Sequence, residues 1–542
     1  MTKAEGKLIQ HLGIVAGICD ELGLAKLIDA HIQKQKRKVS VGTAVKAMIL
    51  NALGFTGRAL YLTPEFYRTR PVDVLLGESI KAEDLHDDCL GTALDALYEY
   101  GVTELFYELA SHGLEVFGVE HRFVHLDSTT FGLHGAYQED EDEQQEGAAQ
   151  VISITKGYSK DSAPDLNQVV VSLMCAYRSS IPVWIEVLSG NSSDKVSFRK
   201  SIAEYRNQFQ AKQLPYFVAD SALYTEENLE QLHGVKWVTR VPETLKKAKQ
   251  RISELEINSM SDCGDGYRVS VVPISYAGVA QRWVLVYSEQ AQQREMKTFT
   301  KNLAKRTEKT EKKLWHLGNR EFACEADARK EADRFSKSLR YHSIDYRLEC
   351  KLRYEKKGRP AKDSTPSGES WFIRAELQED TSAIEAATKS KGVFIIATNE
   401  LEESELAAER ILAVYKAQGV SVERGFRFLK DPMFYAESLY LNSPRRIMAL
   451  IMVMGLSLLV YSLGERKLRA ALKDRGDTIS SQVGKPTDNP TIRWVFQRFE
   501  GILLLTVYQD TITETMASNM QKDHKTIIRC LGPPYRKMYF LG

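Results

Sequence analysis

Between residues 121 and 240 the apolar pattern changes period, and that change limits the possible folds more than any other feature of the chain. Short apolar runs at 122–127, 151–155, 168–176, 181–188, 215–219 and 235–240 read as strands. After the fourth run, Phe198, Ile202, Tyr205 and Phe209 recur at helical spacing, with Asp194 as the expected N-cap. A further helix opens at Thr225, which is followed by Glu226 and Glu227. Strands first, then strand–helix alternation, predict an α/β core with a mixed sheet flanked by helices. Two of the strand runs end in an acid. Asp127 closes Phe123-Val124-His125-Leu126, and Asp220 closes Tyr216-Phe217-Val218-Ala219. An aspartate leaving a buried strand is held rigidly and points into a crevice at the strand's carboxyl end.

Residues 1–118 read as a helical domain, with Val41, Val45, Met48, Ile49 and Ala52 forming one stripe after Ser40. Such a module is suited to gripping DNA or a partner. The core then occupies 119–240, and the pattern breaks over 241–390. There, strand-like pieces at 267–273, 281–287 and 370–376 surround a charged helical stretch at 291–339, so this segment reads as an inserted domain. The core resumes over 391–475, and 476–542 forms a C-terminal region without a clear pattern. The acidic run Glu139 to Glu146 reads as a hairpin loop, because like charges repel and nothing in it can pack. Ile447 to Leu463 is 17 residues without a charge, at the short limit for a membrane span. It includes Gly455 and Ser457 and stands alone, so it reads as a buried core helix, and no membrane partner is expected.

Net charge is +1 over 542 residues, so any nucleic acid must be held by local patches. Residues 291–360 carry 20 Lys and Arg against 11 Asp and Glu and are the best such patch. The seven cysteines form no CxxC pair or zinc spacing, which suggests a reduced, cytoplasmic protein.

A third carboxylate lies in Val422-Glu423-Arg424-Gly425-Phe426-Arg427-Phe428-Leu429-Lys430. Read as a helix, Val422, Phe426 and Leu429 make an apolar face, and Glu423, Arg427 and Lys430 make a polar face beside it. A lone carboxylate next to two cations suits a site holding metal and phosphate together. Two strand-end aspartates and one helical glutamate can form a two-metal site for phosphoryl transfer. Mg²⁺ is a hard ion that prefers such oxygens, so two Mg²⁺ ions are the expected cofactors, with Mn²⁺ as a substitute. His125 precedes Asp127 by two residues and so shares its face, where a core role is the simpler reading.

The ordered set of Asp127, Asp220 and Glu423 resembles a DDE transposase with an RNase H-like core. The strings His125-Leu126-Asp127-Ser128-Thr129-Thr130, Gly157-Tyr158-Ser159-Lys160-Asp161, Ala219-Asp220-Ser221-Ala222-Leu223-Tyr224 and Glu423 to Lys430 carry the resemblance. The insertion before the glutamate points to insertion-sequence transposases of the IS-four-like group. The resemblance implies cutting and joining of double-stranded DNA at terminal inverted repeats, transfer to target DNA, and a homodimer or larger assembly on DNA. A catalytically inactive DNA-binding regulator and an RNase H-like nuclease are the alternatives. The group's signature places a Tyr, an Arg, the Glu and a Lys on one helical segment. Lys430 fits, seven residues after Glu423; Tyr415 lies eight before it, one further than the pattern expects; and Gly419 stands at the Arg position. Arg424 or Arg427 is left to supply that phosphate contact. Lys160 and Asp161 lie in a turn-like segment able to approach DNA. In similar transposases an aromatic of the insertion stacks on a flipped base, which leaves Trp283, Trp315 and Trp371 as candidates.

Overall fold

The computed structural model describes residues 3–32, 37–56, 60–133, 151–157, 165–208, 214–354, 365–431, 441, 443–509 and 512–541. Lys160, Asp161 and the acidic run 139–146 lie outside these residues. The chain divides into two compact units: Met1–Arg240, Ser275–Gln281 and Thr398–Gly542 form the first, and Val241–Ile274 with Arg282–Ala397 form the second.

The sheet of the first unit runs in the order Pro182–Ser189, Asn167–Ala176, Phe123–Leu133, Tyr216–Ala219, Trp237–Arg240. The first three strands are antiparallel, and the last two run parallel to Phe123–Leu133. Helices cover this mixed sheet, which is the RNase H-like arrangement. Register sorts its side chains into two faces, because directly opposed residues point the same way. Ser128, Ser172 and Glu186 oppose one another in one row. The helix Asp194–Gln208 covers that face: Ser201 Oγ lies 2.5 Å from a Glu186 carboxylate oxygen and 3.1 Å from Ser172 Oγ. Asp127, Leu173 and Ile185 form the adjacent row, on the other face. The helices Ala408–Lys416, Val422–Leu429 and Pro444–Arg475 serve that face.

The helix Pro444–Arg475 is long and apolar enough to cross a membrane, but 94% of its apolar window is buried inside the protein. It packs on the helices Leu12–Glu21, Val41–Ala52, Asp87–Tyr100, Val102–Val116 and Lys522–Leu531 and on the strand Pro182–Ser189. Gly455 permits a close approach to the sheet: a Cβ there would lie 2.9 Å from Ile185 Cδ1 and 3.0 Å from Phe106 Cε2.

Several sequence expectations are corrected. The N-terminal region is not wholly helical, because Lys3–Leu8 is a strand paired with Leu503–Gln509, which in turn pairs with Ile512–Ser518. The segment 151–155 contributes only a bridge from Thr155 to Gln168. Asp194 begins its helix rather than capping it from outside, and its carboxylate contacts the Ser128 hydroxyl. Ser40 and Thr225 do cap their helices, accepting from the Thr43 and Asn228 N–H groups at 3.2 Å each. Within the C-terminal region, Tyr535 and Tyr539 are fully buried against Gly17 and Gly13.

Val393–Thr398, Val279–Ser288, Tyr267–Tyr276 and Ser261–Asp262, which belong mostly to the second unit, are neighbours in one sheet. His342–Arg353, a strand missed in the sequence, pairs antiparallel with Gly368–Glu379. The helices Glu289–Gly318 and Glu325–Ser338 pack on this hairpin through Leu317, Ala328, Ala332 and Ile373.

Candidate active site

Register places the two aspartates. The parallel pairing of Phe123–Leu133 with Tyr216–Ala219 matches His125 with Val218. Two residues further along each strand stand Asp127 and Asp220, so they lie at one level on neighbouring strands, which are spaced about 4.8 Å apart. Asp127 is not the end of its strand, as the sequence suggested. The strand continues to Leu133 on its antiparallel partner alone, and Asp127 stands where the parallel neighbour has stopped. That missing neighbour opens the crevice. Both aspartates are half-buried. Asp127 Oδ1 accepts the Ser128 N–H at 2.7 Å, and Asp220 Oδ1 accepts the Ala222 N–H at 2.9 Å. Thr239 Oγ1 donates to the Asp220 carbonyl at 2.6 Å, tying the end of that strand to the next.

The helix Ala408–Lys416 is anchored to this face by His125, whose Nε2–H donates to the Val414 carbonyl at 2.8 Å. Burial pushes the His125 pKa down to about 4, so the ring is neutral and structural. The next residue, Tyr415, reports on the acids directly. Burial raises its hydroxyl pKa first; Arg240 beside it lowers it, and the charges of Asp220 and Asp127 raise it again. Asp127, Asp220, Arg240 and Tyr415 therefore share one site. Arg240 was not singled out in the sequence. Its signal is the one used for the aspartates, a charged residue closing a short apolar strand.

Glu423 lies in the helix Val422–Leu429, which buries Val422, Gly425, Phe426 and Leu429. A Cβ on Gly425 would lie 3.0 Å from Leu173 Cδ2 and 3.4 Å from Cys175 Sγ. Leu173 is the cross-strand partner of Asp127, so the glutamate's helix lies on the aspartates' face. Glu423 itself is exposed. Among the described residues, the three acids do not bring their ligand atoms within 4.8 Å of one another; only His86, Asp87 and Asp88, an exposed group at a helix start, do so.

The neighbouring cations divide. Arg427 is exposed and donates to the Gly419 carbonyl at 3.2 Å. A Cβ on Gly419 would lie 3.5 Å from Glu423 Oε2, so Arg427 reaches the glutamate's immediate surroundings. Arg424 turns away and pairs with the buried Glu465 at 2.8 Å. Lys430 lies over the Phe131 ring, 5.8 Å from its centroid. In the second unit, Trp283 is fully buried, Trp371 is half-buried with its backbone bridged to Phe322, and Trp315 is 66% exposed. Of the three, Trp315 is the most exposed.

A family model described as a transposase DDE domain matches residues 119–461, well over half of the chain. The chain belongs to the transposase DDE-domain family. It is an RNase H-like enzyme that cuts and joins DNA, and its family works with divalent metal ions. A second model, a domain of unknown function (DUF4277), matches residues 4–111 of the transposase. No curated protein matches it. Among solved structures, a piggyBac transposase synaptic complex with hairpin DNA is similar at 8% identity, over 90% of this chain and 79% of that one, with a TM-score of 0.37. That likeness is too low to transfer any residue.

Proposed function

We propose that Asp127, Asp220 and Glu423 are the metal-binding carboxylates of this transposase, and that it excises and reinserts its own insertion sequence. The observation that carries this reading is the register of Asp127 with Asp220, with the Glu423 helix packed on the same face. An all-oxygen set suits Mg²⁺, with Mn²⁺ as a substitute, better than any ion that wants thiolate or imidazole. Two bound Mg²⁺ ions would activate the attacking water or 3′-hydroxyl and stabilise the leaving oxygen.

The protein's own residues supply the rest. Backbone N–H groups orient one oxygen of each aspartate. Arg427, exposed beside Gly419 and Glu423, takes over the phosphate contact of the absent signature arginine, while Arg424 is held by Glu465. Lys430 and Tyr415 flank the same helix pair. Trp315 is the aromatic available for a flipped base, at about 1–3 kcal/mol per stacked base. The partners in this reading are duplex DNA bearing terminal inverted repeats and target DNA, handled in the cytoplasm by a homodimer or larger assembly. The insertion before Glu423 favours the IS-four-like group.

The test is Asp220→Asn. It should abolish Mg²⁺-dependent cleavage of a duplex carrying the element's end while leaving binding of that duplex intact. Substantial residual cleavage would sink the assignment. A joining assay with precleaved ends separates the transposase from a nuclease that only cuts.

A further inference from the structure

The turn after the strand Asn167–Ala176 borders a second polar cavity in the first unit, of about 520 Å³. Five cationic side chains line it against two carboxylates, Glu465 and Asp488. Part of that charge is already committed. Glu465 is buried, and it binds Arg424 at 2.8 Å and Arg469 at 2.9 Å while accepting the Ile492 N–H at 3.0 Å. The remaining cations are Arg178, Arg466 and Lys473, all exposed, and none forms an ion pair with a described residue. Arg466 makes one hydrogen bond, to the Gly118 carbonyl at 3.2 Å.

One feature indicates that the cavity holds a ligand. Ser180 is 5% exposed and lines the cavity, yet its hydroxyl has no hydrogen-bond partner among the described residues. Buried hydroxyls are almost always paired, so an orphan beside a polar cavity marks a missing acceptor or donor. Arg178 takes φ = 53° in the tight turn that joins Asn167–Ala176 to Pro182–Ser189, an ordinary conformation for such a turn, and lines the cavity from there.

We propose that this cavity is a phosphate-binding site separate from the carboxylate centre, and that its occupant is the backbone of duplex DNA. The arginines offer planar donor forks that match phosphate oxygens. Arg466 and Lys473 stand two helical turns apart, about 10.5 Å along the axis. That span matches about three base steps of one strand at 3.4 Å each, which favours a polymer over a single free phosphate. The choice of DNA as the polymer rests on the transposase reading; the presence of an anion site does not.

The experiment uses the full chain without divalent metal, titrating salt against binding of a labelled duplex. An Arg178→Gln, Arg466→Gln, Lys473→Gln triple variant should bind more weakly. Its log–log salt slope should flatten by about 0.9 for each phosphate that is no longer neutralised. Lys473→Gln alone, at an exposed position, should flatten it by about 0.9 and decides the matter if the triple variant misfolds. Unchanged affinity and slope overturn the proposal. If inorganic phosphate raises the melting temperature of the wild type but not of the triple variant, while duplex binding is equal, the site holds a free anion and the DNA assignment is overturned. Glu423→Gln run alongside keeps the two readings apart: cleavage by that variant would count against the carboxylate centre without touching the slope.

Discussion

Neighbouring residues on one short helix have different roles. Arg424 and Arg427 look equivalent in sequence, but one pairs with buried Glu465 and the other is exposed beside Glu423. Arg427→Ala should therefore lower cleavage at least tenfold with little change in melting temperature. Arg424→Ala should instead cost about 1.5–3 kcal/mol of stability, since it removes a charged hydrogen bond to a buried group. Urea denaturation and a cleavage assay on both variants check this; equal effects would refute the division. A second pair of residues sets opposing pH dependences. Burial pushes His11 down to about 4, while it pushes Glu186 up to about 7. Between pH 4.5 and 6.5 the unfolded state binds more protons at His11, so that group makes stability rise with pH. Over the same range the folded state holds a proton at Glu186 that the unfolded state has lost, so that group makes stability fall. Each slope is about 1.4 kcal/mol per pH unit and these two largely cancel, while His125, held low in the same way, adds a rise of its own. Glu186→Gln should unmask the His11 slope, so its stability relative to wild type should climb between pH 5 and 6.5 in urea titrations.

At the scale of elements, close packing on the face that carries Asp127 is the main constraint. Gly455→Ala gains helix propensity of about 1 kcal/mol. It also pushes a methyl against Ile185 and Phe106, both essentially fully buried, so overpacking of about 1–3 kcal/mol should dominate. A variant as stable as wild type in urea would show that the helix can shift. The elements also show what a sequence can and cannot reveal. Asp127 and Asp220 were legible because each closes a short apolar run, and the Glu423 helix because Val422, Phe426 and Leu429 share one face. The extension of the first core strand through Ser128, Thr129 and Thr130 was not legible, since three polar residues carry no alternation. Nor was the pairing of Lys3–Leu8, whose partner lies nearly five hundred residues away. Tryptophan exposure was equally hidden: composition does not distinguish Trp283, sealed in a sheet, from Trp315 on a helix surface.

At the scale of the whole molecule, net charge is near zero and binding of DNA must come from patches. Lys305, Arg306, Lys309, Lys312 and Lys313 are all exposed on the helix Glu289–Gly318, with Lys312 paired to Glu308 at 2.6 Å. Neutralising all five should weaken binding to every duplex alike and flatten its salt dependence, without changing which end sequence is preferred. An unchanged slope in a salt-titrated binding assay would mean that this helix faces away from DNA.

The strand Lys3–Leu8 pairs with Leu503–Gln509. At a synthesis rate of roughly 5–20 residues per second, the first strand emerges about 25–100 s before its partner exists. Through that interval it is an open edge, the kind of surface that other chains can add to. Glu5 and Lys7 place opposite charges on its exposed side, which is how natural sheets discourage such pairing. The enzyme's fold is thus closed by a join that waits on a strand about five hundred residues downstream, and nascent chains that stop short of Leu503 should lack the finished sheet however complete their catalytic core.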